Sequence, residues 1–406
     1  MIINRKPPRY PRRGPSCLLV LFVTFGIAVS LYIIQNAEEV RQAIVPTATF
    51  EPTRSATELA VLAEMSRRDG QDAEAVAFYD EAIRLDSRNV EFYIRAIDLL
   101  VRENQSERAV ERAEQATILD PENDGVWTAA AAAYLAEGNR LSDLGDQNAA
   151  NLQYANAAQA ARKAITINPD NATALAYAAG GTILQGYPDK YEQAQIFADD
   201  AVRIDPNNPI ARYYMATVFT YQGRYAEALE QYQRGLEIDP ADPDLHIGLA
   251  YNYYGTGSIP DALLSFEDAI SVDPDNADAF DGRAYMYLQL GDAPLAEQNA
   301  LEATRLNPNI ARAQGRLGEA YFRQNNYSEA IEALEKAVAM YSRATDLNAR
   351  FFNMLAQAYI RDDLNNCSLA TPLFNQVLNA TANQLILDAA NEGLVECRRA
   401  SLGTAP

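Results

Sequence analysis

Residues 209–242 read PIARYYMATVFTYQGRYAEALEQYQRGLEIDPAD, and the fold follows from how this stretch is punctuated. Gly223 stands where one helix must stop and the chain reverse, a position that suits a residue free to adopt positive φ. Pro240 has no amide donor and cannot continue a second helix, so it closes the unit. Between them, Ala216, Ala228 and Gly235 are small enough to let two antiparallel helices approach, while Met215, Phe219 and Tyr232 fill the space between. A single hairpin of this kind leaves an apolar face bare, and stacking a second one covers it.

The punctuation recurs along the chain. Asp-Pro or Asn-Pro falls at Pro121, Pro169, Pro206, Pro240, Pro274 and Pro308, at spacings of 48, 37, 34, 34 and 34 residues, and Ser87 holds the same place before Pro121. Alanine stands twelve residues before each of these prolines, from Ala109 to Ala296, and Ala or Gly stands five before. Over most of 56–378 this pattern resembles the tetratricopeptide repeat family. The resemblance implies an all-α fold, a right-handed α-solenoid of helix-turn-helix repeats. The units are placed at 56–89, 90–123, 124–171, 172–208, 209–242, 243–276, 277–310 and 311–344, with a ninth, degenerate hairpin at about 349–378. Residues 379–406 supply a capping helix and tail, with Leu385, Ala389, Leu394 and Val395 as its apolar side.

Two units depart from the 34-residue period. The third, 124–171, carries 14 extra residues around Asn139 to Leu152, nearly four helical turns, so both of its helices can lengthen by about two turns. Leu141 and Leu144 lie at its tip. It is either a protruding hairpin that engages a partner or the membrane, or length drift in a tolerant loop. The fourth unit adds Gly186-Tyr187-Pro188, a longer turn.

Ahead of the repeats, 1–16 holds Arg5, Lys6, Arg9, Arg12 and Arg13 and no acid. Residues 17–34, CLLVLFVTFGIAVSLYII, carry no charge and span ~27 Å as a helix, close to the ~30 Å core of a bilayer. A transmembrane signal anchor is expected, with the N-terminus cytoplasmic and the repeats outside. Ala28-Val29-Ser30 also fits a cleaved signal peptide, although apolar residues continue past it. Residues 35–55 form a Thr/Pro-containing linker with a helical turn from Asn36 to Ile44.

In the resembled family the first helix of each repeat lines a concave groove. The matching positions here hold Tyr177, Tyr213, Tyr214, Tyr221, Tyr251, Tyr254 and Tyr285, with Gly180, Gly248 and Gly282 leaving space between them. Arg312, Arg316 and Arg323 follow toward the C-terminal end. Tyrosine offers a large contact area with a polar tip, and arginine takes carboxylates. The groove is thus expected to bind a protein or peptide segment, although aromatics at helical spacing equally fill the seam between hairpins. The carboxylate clamp of the family is absent, because its places hold Ala60, Glu64, Arg95, Gly125 and Ala129.

The net charge of -21 argues against nucleic acid as a partner. Three cysteines and one histidine show no metal-ligand spacing, and no catalytic order or glycine-rich phosphate loop is present, so neither an enzyme nor a cofactor is expected. His246 falls at a packing position between helices. Cys367 and Cys397 would meet if 367–378 and 381–400 run antiparallel, either as a disulfide in an oxidising compartment or as two buried thiols. The expected function is a membrane-anchored interaction scaffold for envelope assembly, secretion or pilus-like machinery. The alternative is a holdase-type chaperone for unfolded segments. The sequence leaves the oligomeric state open.

Overall fold

The computed structural model describes residues 17–35 and 54–401, without side chains at 17–20 and 33. It divides into two units, Met1–Arg54 and Ser55–Pro406. The basic tail 1–16, the turn from Asn36 to Ile44, most of the linker and the tail beyond 401 lie outside the described residues.

In the first unit, Cys17–Gln35 forms helix α1, 19 residues long. No helix among the described residues is long and apolar enough to cross a membrane. The unbroken run described with side chains, 21–32, reaches only ~18 Å at helical rise, short of a hydrocarbon core of ~30 Å. The transmembrane expectation for 17–34 therefore stays with its sequence.

The second unit is entirely helical among its described residues. Its pairs are α2 (Ala56–Arg68) with α3 (Asp72–Leu85), α4 (Val90–Arg102) with α5 (Ser106–Leu119), and α6 (Asp124–Asp143) with α7 (Gln147–Ile167). Next come α8 (Ala172–Ile183) with α9 (Tyr191–Ile204), α10 (Pro209–Tyr221) with α11 (Tyr225–Ile238), and α12 (Pro243–Gly255) with α13 (Ile259–Val272). The series ends with α14 (Ala277–Leu290) and α15 (Ala293–Leu306), α16 (Ala311–Arg323) and α17 (Tyr327–Tyr341), α18 (Ala349–Asp362) and α19 (Cys367–Ala380), and then α20 (Gln384–Ser401). Successive first helices (α4 on α6, α6 on α8, and onward) pack on one another, with no comparable contact between successive second helices among the described residues. The first helices therefore line the inside of the curve.

Local chemistry sets these boundaries. The Asx residue that ends each Pro-x-Asx stretch caps the next first helix: Asn123, Asn208, Asp242 and Asn276 accept from backbone amides two or three residues on, satisfying donors that the helix leaves unpaired. Ser55 starts the array with a full capping box to Glu58. Inside the hairpins the reversal falls on a left-handed residue, Gly223 at φ +74° among them, with Asn104 and Asn325 in the corresponding places of other units. His246 takes a recurring structural position. Its Nε2 lies 3.0 Å from the Pro240 carbonyl, as Trp127 Nε1 donates to Pro121 O and Arg212 Nε to Pro206 O.

The third hairpin shares its extra length equally: α6 has 20 residues and α7 has 21, against 13 and 14 in α4 and α5. Its left-handed turn residue is Gly145 at φ +75°. The three added residues of the fourth unit form a turn through Gly186, φ +71°, and a 3-10 segment at Pro188–Lys190.

At the C-terminal end α20 packs on α18 and α19 with part of the face read in the sequence: Leu394 lies against the core of the last hairpins and Ala389 is half-buried. Leu385, 81% exposed, and Val395, 43% exposed, fall outside that face, whereas Ala390, Gly393 and Cys397 are buried. The helix is turned this way because Gly393 faces the Phe374 ring at a distance no side chain would permit. Cys367 and Cys397 are joined by a disulfide, with Cα atoms 5.4 Å apart and a sequence separation of 30. Closing a loop of that length stabilises by ~3–4 kcal/mol on the chain-entropy account. Cys367→Ser is expected to release α20 at lower urea than the wild type, read by hydrogen exchange of 384–401, with reductant reproducing the effect on wild type alone.

Candidate binding groove

Helices α8, α10, α12 and α14 bring the sequence-predicted tyrosines to one concave wall, where they pack edge to face. Tyr177 lies 5.8 Å from Tyr214 between ring centroids, Tyr213 5.0 Å from Tyr214, and Tyr254 5.4 Å from Tyr285. The last two share a hydroxyl–hydroxyl bond of 3.0 Å, and that bond is the main reason the Tyr254 phenol is pushed up to about 12. Tyr251 sits edge-on to Phe266 at 5.2 Å. None of these six is fully buried, while Tyr221 is 41% exposed and meets Tyr191 instead. The tyrosines divide their surface between the seam and the groove.

The glycines do not leave space between them. Gly180 is covered by the Tyr214 ring, Gly248 by Tyr232 and Gly282 by Phe266, each too close for a Cβ. They are sockets for rings of the neighbouring helix, and that is why small residues recur there.

Sequence reading passed over the acids of this wall. Asp98 on α4 and Asp244 on α12 are open to water and form no ion pair among the described residues. Yet burial pushes the Asp98 carboxyl up. Burial, aided by repulsion from Asp242, Asp278 and Asp273, raises Asp244 to about 7. Both carboxyls stand on first helices and are open to water, and Asp242, Asp278 and Asp273 are near enough to Asp244 to repel its charge. The Tyr177 phenol, raised chiefly by burial, also feels Asp98, Asp244 and Asp242.

A raised carboxyl favours the protonated form in the folded state. Its stabilising contribution is complete below the unfolded value of ~4, and is lost as the pH rises through about 7. Asp244→Asn is expected to unfold at a higher temperature than the wild type, the gap growing from pH 4 to pH 8 in thermal scans.

The arginine end is internally engaged. Arg312 bonds Asp278, Asp143 and, at 2.5 Å, Asp281. Arg316, 7% exposed, is 2.6 Å from Asp281, which is fully buried, and lies over the Tyr285 ring at 4.5 Å. Arg323 holds Glu319 at 2.5 Å and donates to Leu288 O. These three are therefore not the free donors to partner carboxylates that their positions suggested.

One of those partners comes from far away in the chain. Asp143 ends α6, 169 residues before Arg312. Leu144 packs with the core of the last hairpins, and a Cβ on Gly145 would stand 2.7 Å from Tyr341 and 3.1 Å from Asn348. The extended third hairpin therefore does not protrude. It reaches across the concave side and rests its tip on α16, α17 and the start of α18. Lower down, α7 sets Tyr154 against Gly138, with Leu135, Leu141, Tyr177 and Tyr214 around it.

Among the described residues no group of His, Cys, Asp or Glu is arranged to hold a metal ion. Tetratricopeptide repeat patterns match the chain at 58–91, at 216–257 and, in overlapping registers, at 247–309, 283–345 and 315–365. No curated protein matches it in sequence. Among solved structures, an IFIT1 monomeric mutant with Gppp-AAAA is similar, with a TM-score of 0.61 and 19% identity over 94% of this chain and 88% of that one. The human IFIT1 dimer with m7Gppp-AAAA gives 0.60 and 18%, over 88% and 92%. The APC/C hetero-tetramer Cut9-Hcn1 gives 0.55 and 14%, over 90% and 81%. At these identities the likeness is one of fold. The matches in its own sequence show that the chain carries tetratricopeptide repeats.

Proposed function

We propose that this chain is a non-catalytic, membrane-anchored scaffold that holds a segment of a partner protein against its concave wall, outside the cytoplasm. The observation that carries the reading is the row of half-buried tyrosines, Tyr177, Tyr213, Tyr214, Tyr251, Tyr254 and Tyr285, along the first helices that line the inside of the curve. Ordered rings with one face free give contact area at low entropic cost. The unpaired acids Asp98 on hairpin two and Asp244 on hairpin six favour basic side chains in the bound segment. Membrane anchoring is supported by the uncharged run 17–34 behind five basic residues, and the charge asymmetry supports the orientation. Envelope assembly, secretion or pilus-like machinery is the setting these features suit.

IFIT1 is solved with Gppp-AAAA and m7Gppp-AAAA, but the groove here favours phosphate less than protein. Asp98, Asp242 and Asp244 act on the Tyr177 phenol, and Arg312 and Arg316 are already bound to aspartates.

Photo-crosslinking residues placed at Tyr213 and Tyr254 in the native membrane test the reading, with Leu264 on α13, 59% exposed, as the outer-surface control. One dominant protein adduct at the tyrosine positions and none at Leu264 is expected. Adducts at Leu264 alone would overturn it, and a spread of unrelated adducts would mark the holdase instead.

A further inference from the structure

The first helices of the last three hairpins bring Arg312, Arg316, Arg323 and Arg350 together with Asp278, Asp281 and Glu319. Arg350 lies over the rings of Tyr285 and Phe351 at 5.5 and 4.5 Å and has no carboxylate partner among the described residues. Four cations thus stand with three anions of the same wall. The fourth carboxylate is Asp143, delivered by the tip of the third hairpin.

The wall also holds buried polar atoms without a partner: Asp281 Oδ1, Arg316 Nε, Glu319 Oε2, Arg350 Nε and Asn353 Oδ1. Asp281, Arg316, Glu319 and Asn353 are each more than nine-tenths buried. Unpaired polar groups are costly inside a protein, and of these Asp281 shares Arg312 with the docked Asp143, so spare acceptor capacity stands next to the place the turn occupies. The turn itself contributes one carboxylate, one apolar side chain and a left-handed glycine.

We propose that the concave wall of hairpins seven to nine is a recognition site for a compact acidic turn, and that Asp143-Leu144-Gly145 is its resident ligand within the chain. A partner that presents a carboxylate followed by an apolar residue in a tight turn competes with the tip for Arg312 and for the Tyr341–Asn348 ledge. The tip is tethered, so it competes at an effective concentration in the millimolar range. Only a partner that binds the site well displaces it, and the groove then opens along the α6–α7 edge. This rests on the concave wall being the partner-binding surface. The crosslinks at Tyr213 and Tyr254 test that surface without involving the tip, so the two readings fail separately.

The test uses the full chain in detergent and a labelled synthetic peptide of residues 139–150 as probe, followed by fluorescence anisotropy. Two variants release the tip: Asp143→Asn with Leu144→Ser removes its contacts, and Gly145→Val pushes it off Tyr341. Both changes lie in a turn, and helical circular dichroism with a retained unfolding transition identifies the variant that keeps the fold. The peptide is expected to bind a folded tip-released variant at least tenfold more tightly than wild type, and Arg312→Gln in that background is expected to abolish binding. Equal binding to wild type and variant, binding indifferent to Arg312→Gln, or no binding to either protein overturns the proposal.

Discussion

Asp281→Ala is expected to destabilise the solenoid by about 3–5 kcal/mol, the range for removing one partner of a buried charge pair. Asp281 is fully buried, and its Oδ2 holds Arg312 Nε at 2.5 Å and Arg316 Nη1 at 2.6 Å. Arg312 keeps Asp278 and Asp143 when this carboxylate goes, but Arg316 loses the one acid that it contacts. Its guanidinium is then left with the Asp281 main-chain carbonyl, the Tyr251 hydroxyl and the Tyr285 ring. Urea unfolding read by circular dichroism checks the loss. Combining Asp281→Ala with Arg316→Met is expected to recover most of it, because replacing a buried pair by apolar groups is near neutral while orphaning one charge is not.

Phe266→Ala carries a loss of similar size for a different reason. The ring is fully buried and seated in the socket left by Gly282 on the next hairpin, with Tyr251 edge-on at 5.2 Å. Deleting it removes the transfer energy of the ring and leaves a cavity that rigid helices cannot close, together about 3–5 kcal/mol. Apart from the docked tip of the third hairpin, each repeat contacts only its neighbours, so the damage is expected to be local. Hydrogen exchange is expected to rise in α12, α13 and α14 while α3 and α4 hold their protection. Uniform loss along the array would mean that the socket is not the seam between hairpins six and seven.

The repeat was legible because its determinants are local and periodic. Gly223 is left-handed and Pro240 follows a helix end for reasons that a 34-residue window contains. The sockets were legible only as small residues. Gly282 in the sequence is an absence, and nothing in its neighbourhood says that Phe266 rather than water fills it. The face of α20 was read only in part: Leu394 and Ala389 lie on the packed side, while Leu385 and Val395 are apolar but fall away from the Gly393–Phe374 contact.

The groove charges were misjudged for another reason. Arg312 reads as a free cation until a residue 169 positions earlier is placed beside it, and no periodicity connects the two. Asp98 and Asp244 read as ordinary surface acids until the fold places them where burial raises their carboxyls.

The reach of the third hairpin to the eighth is the feature on which the account of the groove turns, and a distance between its tip and the ninth hairpin tests it most directly. Spin labels carried on ketone-bearing residues at Asn148 and Leu347, both exposed, avoid the native cysteines. Gly145 stands against Asn348, and the labelled sites lie three residues and one residue from that contact, so the backbones are within ~20 Å at full extension of both links. A docked tip predicts a single narrow distribution below that limit. A distribution centred beyond ~30 Å, the length of a twenty-residue helix such as α6, would show a hairpin that stands free and would contradict the account.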